Sequence, residues 1–193
     1  MDATFTIPAS DLLGMSHLTS NDMARNNLTG VLIEKRDGAI RLVATDGHLM
    51  GIYNIGQDGI DWFDGAAGCE SAVLKIHDFV SLLKEAKKNR ISAVKVSLNG
   101  TVKMEYFGKT VESEYSSATF PNWEVCVPKE TDTPVPHIGI QFALLGKLQK
   151  AIADMSGTKE TYLRLSFSGT ESAMKVTSGN APNFTGILMP ARS

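Results

Sequence analysis

The sequence predicts an α+β protein built from three similar units, and two observations carry that prediction. A short strand running into an amphipathic helix recurs three times, and each helix gives way to alternating apolar residues broken by turn signals. Ile7, Leu74 and Ile140 stand at equivalent strand ends, 67 and 66 residues apart, a spacing too regular for chance. Unit 1 is therefore read over residues 1–56, unit 2 over 70–128 and unit 3 over 137–193, each in the order β-α-β-β-β.

Unit 1 opens with a strand over Thr4–Ile7 and a helix over Pro8–Leu13. Strands follow at Leu28–Lys35, Ala39–Ala44 and His48–Ile55, the first two joined by a turn at Asp37-Gly38. Unit 2 repeats the order with a strand over Ser71–Leu74 and a helix over Ile76–Ala86. Its strands Ala93–Leu98 and Thr101–Phe107 meet across Asn99-Gly100, a dipeptide suited to a tight hairpin, and a further hairpin turns at Gly108. Unit 3 has a strand over His137–Ile140 and a helix over Phe142–Met155. Tyr162–Phe167 then turns through Ser168-Gly169 into Ala173–Val176, and Phe184–Met189 closes the unit. The segments Gly56–Cys69, rich in Gly and Asp, and Val127–Pro136, with three prolines, read as linkers. One helix cannot bury both its own stripe and a sheet face, so the units should pair, helices on one surface and antiparallel sheets on the other.

Composition excludes several classes. At 193 residues, 42% hydrophobic and 21% charged, the chain can bury a core without staples and is neither disordered nor collagenous. Cys69 and Cys126 stand alone, so no disulfide framework, metal site or cofactor is signalled, and both are expected as free, partly buried thiols in a reducing compartment. No window approaches the apolar run of about 18 residues that a membrane helix needs, and the first residues carry no leader pattern. The expectation is a cytoplasmic protein without membrane contact.

The net charge of −2 hides a segregation. In the second helix Phe79, Leu82, Leu83 and Ala86 make one apolar stripe, with Lys84 and Lys88 on the opposite face, Lys87 on its flank and Arg90 just beyond. In the third, Leu144, Leu145, Leu148, Ile152 and Met155 make the stripe, and Lys147 and Lys150 lie away from it. The segments 75–90, 142–160 and 8–27, the last including Arg25, carry +3, +1 and −1, so the rest of the chain must carry −5. Lysines on solvated helix faces are commonplace, but a positive helix surface opposite a negative sheet surface also suits phosphate contacts that ignore base sequence. No aromatic residues interleave with the lysines, so a single-strand stacking platform is not indicated.

Leu28-Thr29-Gly30-Val31-Leu32-Ile33-Glu34, followed by Leu42-Val43-Ala44-Thr45-Asp46-Gly47-His48, resembles the second domain of the bacterial sliding clamp, the DNA polymerase III beta subunit family. Thr6-Ile7-Pro8, Phe120-Pro121-Asn122-Trp123 with Val127-Pro128, and Leu188-Met189-Pro190-Ala191-Arg192 resemble further landmarks of that family in the same order. Residues 4–128 are similar to a complete second domain of two modules, whereas 137–193 are similar to the last module of the third domain alone. The resemblance implies a reduced clamp whose helices line a central hole around duplex DNA. Arg25, Lys84, Lys87, Lys88, Arg90, Lys147 and Lys150 would then face the DNA. It also implies a cleft lined by Leu28, Thr45, Gly47, His48, Met50, Pro121, Ile187, Met189 and Pro190, where short hydrophobic peptides of a DNA polymerase and a clamp loader dock. Leu49 stands where the family has Arg, and Ala191 where it has a second Met, departures that bear on the depth and specificity of that cleft.

The function so implied is a non-enzymatic sliding clamp, a processivity factor that holds its partner on DNA by topology. The alternative is a clamp-fold interaction protein that binds clamp partners or a host clamp without encircling DNA. Asp46 and His48, two apart in a strand, share a face and could form an acid/base pair, but no nucleophile or phosphate loop accompanies them. Known clamps are rings of twelve modules, so three per chain predicts a homotetramer in which unlike units pair across subunits.

Overall fold

The computed structural model describes residues 3–36, 39–55, 62–63, 70–128, 138–158 and 162–191. Unit 1 contains β1 (Ala3–Ile7), α1 (Ala9–Ser16), β2 (Val31–Arg36), β3 (Ala39–Thr45) and β4 (Leu49–Ile55). A two-residue strand, β5 (Trp62–Phe63), interrupts the segment read as a linker, and the rest of Gly56–Cys69 lies outside the described residues. Unit 2 contains β6 (Glu70–Leu74), α2 (Val80–Lys88), β7 (Val94–Asn99), β8 (Thr101–Tyr106) and β9 (Lys109–Glu114). Unit 3 contains α3 (Phe142–Ser156), β10 (Arg164–Ser166), β11 (Met174–Thr177) and β12 (Phe184–Leu188).

The strands form two sheets, in the orders β5-β1-β7-β8-β9 and β10-β11-β12-β4-β3-β2-β6. Units 1 and 2 exchange their opening strands. β1 pairs antiparallel with β7 of unit 2, Ile7 opposite Val94, while β6 pairs antiparallel with β2 of unit 1, Leu74 opposite Val31. The equivalence of Ile7 and Leu74 read from sequence is thus an equivalence of register. Unit 3 joins through its last strand, because β12 pairs antiparallel with β4 and extends one sheet across both units.

On one side of the sheets α1 lies between α2 and α3. α1 is nearly all buried for that reason, and it packs on α3 so closely that a Cβ at Gly14 would come within 2.8 Å of the Ala151 carbonyl oxygen. Leu82, Leu83 and Ala86 of α2 and Leu144, Leu148 and Ile152 of α3 are buried as their spacing predicts, with Leu145 and Met155 half-buried at the stripe's edge. Asp11 of α1 is buried too, and the Tyr53 hydroxyl of β4 donates to its carboxylate. Burial pushes the Asp11 carboxyl up against the opposing pull of hydrogen bonds from Tyr53 and Ser10. The opposite face of the longer sheet carries a smaller apolar cluster of Leu32, Val43, Met50, Ile52, Val73 and Ile187, roofed by Trp123.

Three expectations change. Ile76–Phe79 forms a tight 3-10 turn ahead of α2, with no side-chain cap to start an α-helix there. Leu28 closes another 3-10 segment, Met23–Leu28, so β2 begins at Val31. Finally, His137 lies outside the described residues and Ile138–Ile140 form no strand, because no sheet stands beside them in the position β7 offers β1.

Candidate functional site

The site grows from one row of the longer sheet. Thr45 pairs with Met50 and Met50 with Ile187, which sets three side chains abreast on β3, β4 and β12 across the junction of units 1 and 3. Above this row a cavity of about 380 Å³ is lined by Leu28, Thr45, Gly47, His48, Met50, Pro121, Ile187 and Met189, with Asn27, Leu49, Asn122, Trp123 and Cys126. Pro190 lines an adjoining cavity that shares Gly47, His48 and Met189 and also includes Gln141 and Leu144. Eight of the nine expected cleft residues therefore line one cavity and the ninth its neighbour, though they come from four stretches of chain.

Local hydrogen bonds hold its rim. The Thr45 hydroxyl donates to the Leu49 carbonyl at 2.6 Å and accepts from the Gly47 N–H at 3.0 Å. Asp46 Oδ1 accepts from the N–H groups of His48 and Leu49, each at 3.0 Å, and its Oδ2 accepts from the Lys147 ammonium. Burial pushes the Asp46 carboxyl up, but Lys147 and the two N–H donors outweigh it and hold the carboxyl below its ordinary value. Gly47 has φ +92°, so the turn needs glycine, and the Met189 N–H donates to the His48 carbonyl at 3.0 Å. Leu28 is fixed by its carbonyl, which accepts from the Ser20 N–H at 2.9 Å. Asp46 meets His48 at its backbone N–H, and its second oxygen faces Lys147.

Trp123, Asn122 and Cys126 extend the set read from sequence. Trp123 closes the floor from one side, with the Arg41 guanidinium 5.3 Å from its ring centroid. The Phe120-Pro121-Asn122-Trp123 segment was the available signal, since a Trp beside a resembled Pro has to cover something. Cys126 is exposed rather than partly buried, because it ends a short 3-10 turn on the surface; Cys69 lies outside the described residues.

The basic residues divide. Lys84, Lys88, Arg90 and Lys150 are exposed on or just beyond the helix layer. Lys87 donates to Asp154 of α3, which also lies 2.7 Å from His17 Nε2, so this carboxylate ties the three helix-bearing segments together. Lys147 is taken by Asp46. Arg25 is not on the helix layer at all: its 3-10 segment carries it to the cleft, where its guanidinium lies 3.6 Å from the place a Cβ on Gly47 would occupy.

No family model and no curated protein matches this chain. Solved structures do. A DNA polymerase sliding clamp from Pseudomonas aeruginosa superposes with a TM-score of 0.73 at 16% identity, over 99% of this chain and 66% of its own. The chain has the sliding-clamp fold. A DnaN sliding clamp from Bartonella birtlesii, bound to griselimycin, gives 0.72 at 15% identity over 99% and 66%. The DNA polymerase III beta subunit of Thermotoga maritima gives 0.65 at 14% over the same shares. The chain thus spans 66% of the length of these clamps. Among the described residues no helix is long and apolar enough to cross a membrane.

Proposed function

We propose that the chain is a subunit of a DNA sliding clamp that encircles duplex DNA without regard to sequence and tethers a DNA polymerase or repair enzyme through a short hydrophobic peptide. The observation that carries this reading is the hollow at the junction of units 1 and 3, on the sheet face opposite the helices. It pairs an apolar floor with the flexible thioethers of Met50 and Met189, a lining that adapts to more than one peptide. The DNA face reduces to Lys84, Lys88, Arg90 and Lys150, since Lys87 and Lys147 serve helix packing and the cleft turn, and Arg25 joins the cleft rim. So few phosphate contacts make weak binding, which a topological tether tolerates. A clamp loader is implied as a second peptide-bearing partner, a cytoplasmic setting fits this work, and no cofactor, metal or catalytic group is required.

The alternative is a clamp-fold protein that binds clamp partners or a host clamp without encircling DNA. Both readings use the cleft. A labelled short peptide of two leucines and a phenylalanine in a polar frame, followed by fluorescence polarisation, tests it. Met189→Glu and Leu28→Glu should each weaken binding by more than about tenfold while circular dichroism stays unchanged. Equal binding by both variants would remove the hollow from the function.

A further inference from the structure

Unit 3 has the helix and the three following strands of units 1 and 2, but neither a paired opening strand nor their cover. Residues two past Ile7, Leu74 and Ile140 are Ala9, Ile76 and Phe142; the first two are 0% exposed, whereas Phe142 is 87% exposed. Counting back from the turns at Asn99-Gly100 and Ser168-Gly169 equates Val94, Val96 and Leu98 of β7 with Leu163, Leu165 and Phe167. The three β7 residues are buried, Leu163 and Leu165 are half-buried, and Phe167 is 38% exposed. In units 1 and 2 these rows are closed by the strand each lends the other. Among the described residues β10 pairs with β11 alone and ends its sheet, and Ile138–Ile140 pair with no strand.

The unpaired segment is nevertheless set where a lent strand would be. In unit 2 the Ser116 N–H, just past the last strand, donates to the Val73 carbonyl at 2.9 Å; in unit 3 the Ala191 N–H, just past the last strand, donates to the Gly139 carbonyl at 2.9 Å. Val73 and Gly139 are equivalent, each one residue before the aligned Leu74 and Ile140. One side of the segment is therefore bonded as in β6, and among the described residues no strand stands on the side that β6 turns toward β2.

We infer that a second copy of this chain completes unit 3, in a twofold contact where each copy lays Ile138–Ile140 against the other's β10. The relation is the one between units 1 and 2, in which each member gives a strand and receives one, so a single self-complementary surface satisfies both needs. Transferred register sets Ile140 opposite Leu163, Gly139 opposite Arg164 and Ile138 opposite Leu165 of the other copy. Phe142, Tyr162 and Phe167, exposed large apolar residues of unit 3, then lie at or beside the contact. Like units pair across subunits here, in place of the unlike pairing expected from counting. β9, the other outer edge, offers a second contact on the precedent of β12 with β4, last strand to last strand. With both contacts four chains close twelve units; that closure rests on the clamp reading, the unit 3 dimer does not.

Light scattering on the full chain should give twice or four times the chain mass, and Phe142→Glu should halve it. In a Cys69→Ser, Cys126→Ser background, the double variant Ile140→Cys, Leu163→Cys should form a covalent dimer under an added oxidant, and neither single variant should. A monomeric wild-type chain would overturn the inference and direct the open edge to a different protein. So would an oligomer whose mass Phe142→Glu leaves unchanged and whose double variant does not cross-link. Neither measurement uses DNA or peptide, so a failure here is distinct from a failure of the clamp reading.

Discussion

Units 1 and 2 on one side and unit 3 on the other show the same local pattern in two environments. In the first pair each unit lends the other a strand, and Val94 and Val96 of β7 and Ile76 and Phe79 of the turn before α2 are all fully buried. In unit 3 the pattern is as apolar, but its outer row is covered only in part: Leu163 and Leu165 are half-buried against the core, and Phe142 and Phe167 are exposed. The difference shows that a repeat in sequence specifies the unit and its register, while burial is decided by which unit stands beside it. It also locates what holds unit 3 in place: the β4–β12 ladder, the α1–α3 contact, and two carboxylates, Asp46 and Asp154, that receive lysines across the unit boundaries.

The largest effect that separates the two regions is expected in their apolar rows. Phe79→Ala should destabilise the chain by about 3–5 kcal/mol, through lost burial and the cavity left behind. Phe142→Ala, measured in dilute solution where chains are separate, should change stability by less than about 0.5 kcal/mol. Denaturant unfolding monitored by circular dichroism reads both. A comparable loss at Phe142 would mean that the chain itself covers unit 3.

A smaller effect is expected at the boundary. Asp46→Asn keeps an oxygen for the His48 and Leu49 N–H groups but loses the charge that holds Lys147, and should cost about 1 kcal/mol at neutral pH. Because the folded state lowers the Asp46 pKa, its contribution is present above the ordinary carboxylate value and is lost as pH falls through the folded one. The gap between wild type and Asp46→Asn in thermal unfolding should therefore narrow on acidification from neutral pH. A gap that holds constant into acid would show that Lys147 contributes nothing through the carboxylate charge.

Much of this was legible in the residues. The step of 67 from Ile7 to Leu74, most of the alternating strands and the helix stripes correspond to observed elements within a few residues, because each depends on neighbours near in sequence, whereas the strand read up to Ile140 does not form. The cleft residues were legible only through resemblance, since Thr45 and Ile187 meet across β4 through sheet register and Leu28 arrives on a 3-10 segment. The strand exchange was not legible: β1 and β6 are both short and alternating, and nothing local says which sheet takes which. Nor were the partners of Lys87 and Lys147, which depend on how neighbouring helices and turns are phased, or the shift of Arg25 to the cleft, which follows from its 3-10 segment.

The central claim is that the assembled chain surrounds DNA. Its most direct test is retention on a nicked circular duplex during gel filtration, followed by linearisation of the same sample. A ring co-elutes with the circle and is released when the circle is cut, and Lys84→Glu, Lys88→Glu, Lys150→Glu together reduce the retained fraction. Failure to stay on the circle, or retention that cutting does not change, would contradict encirclement.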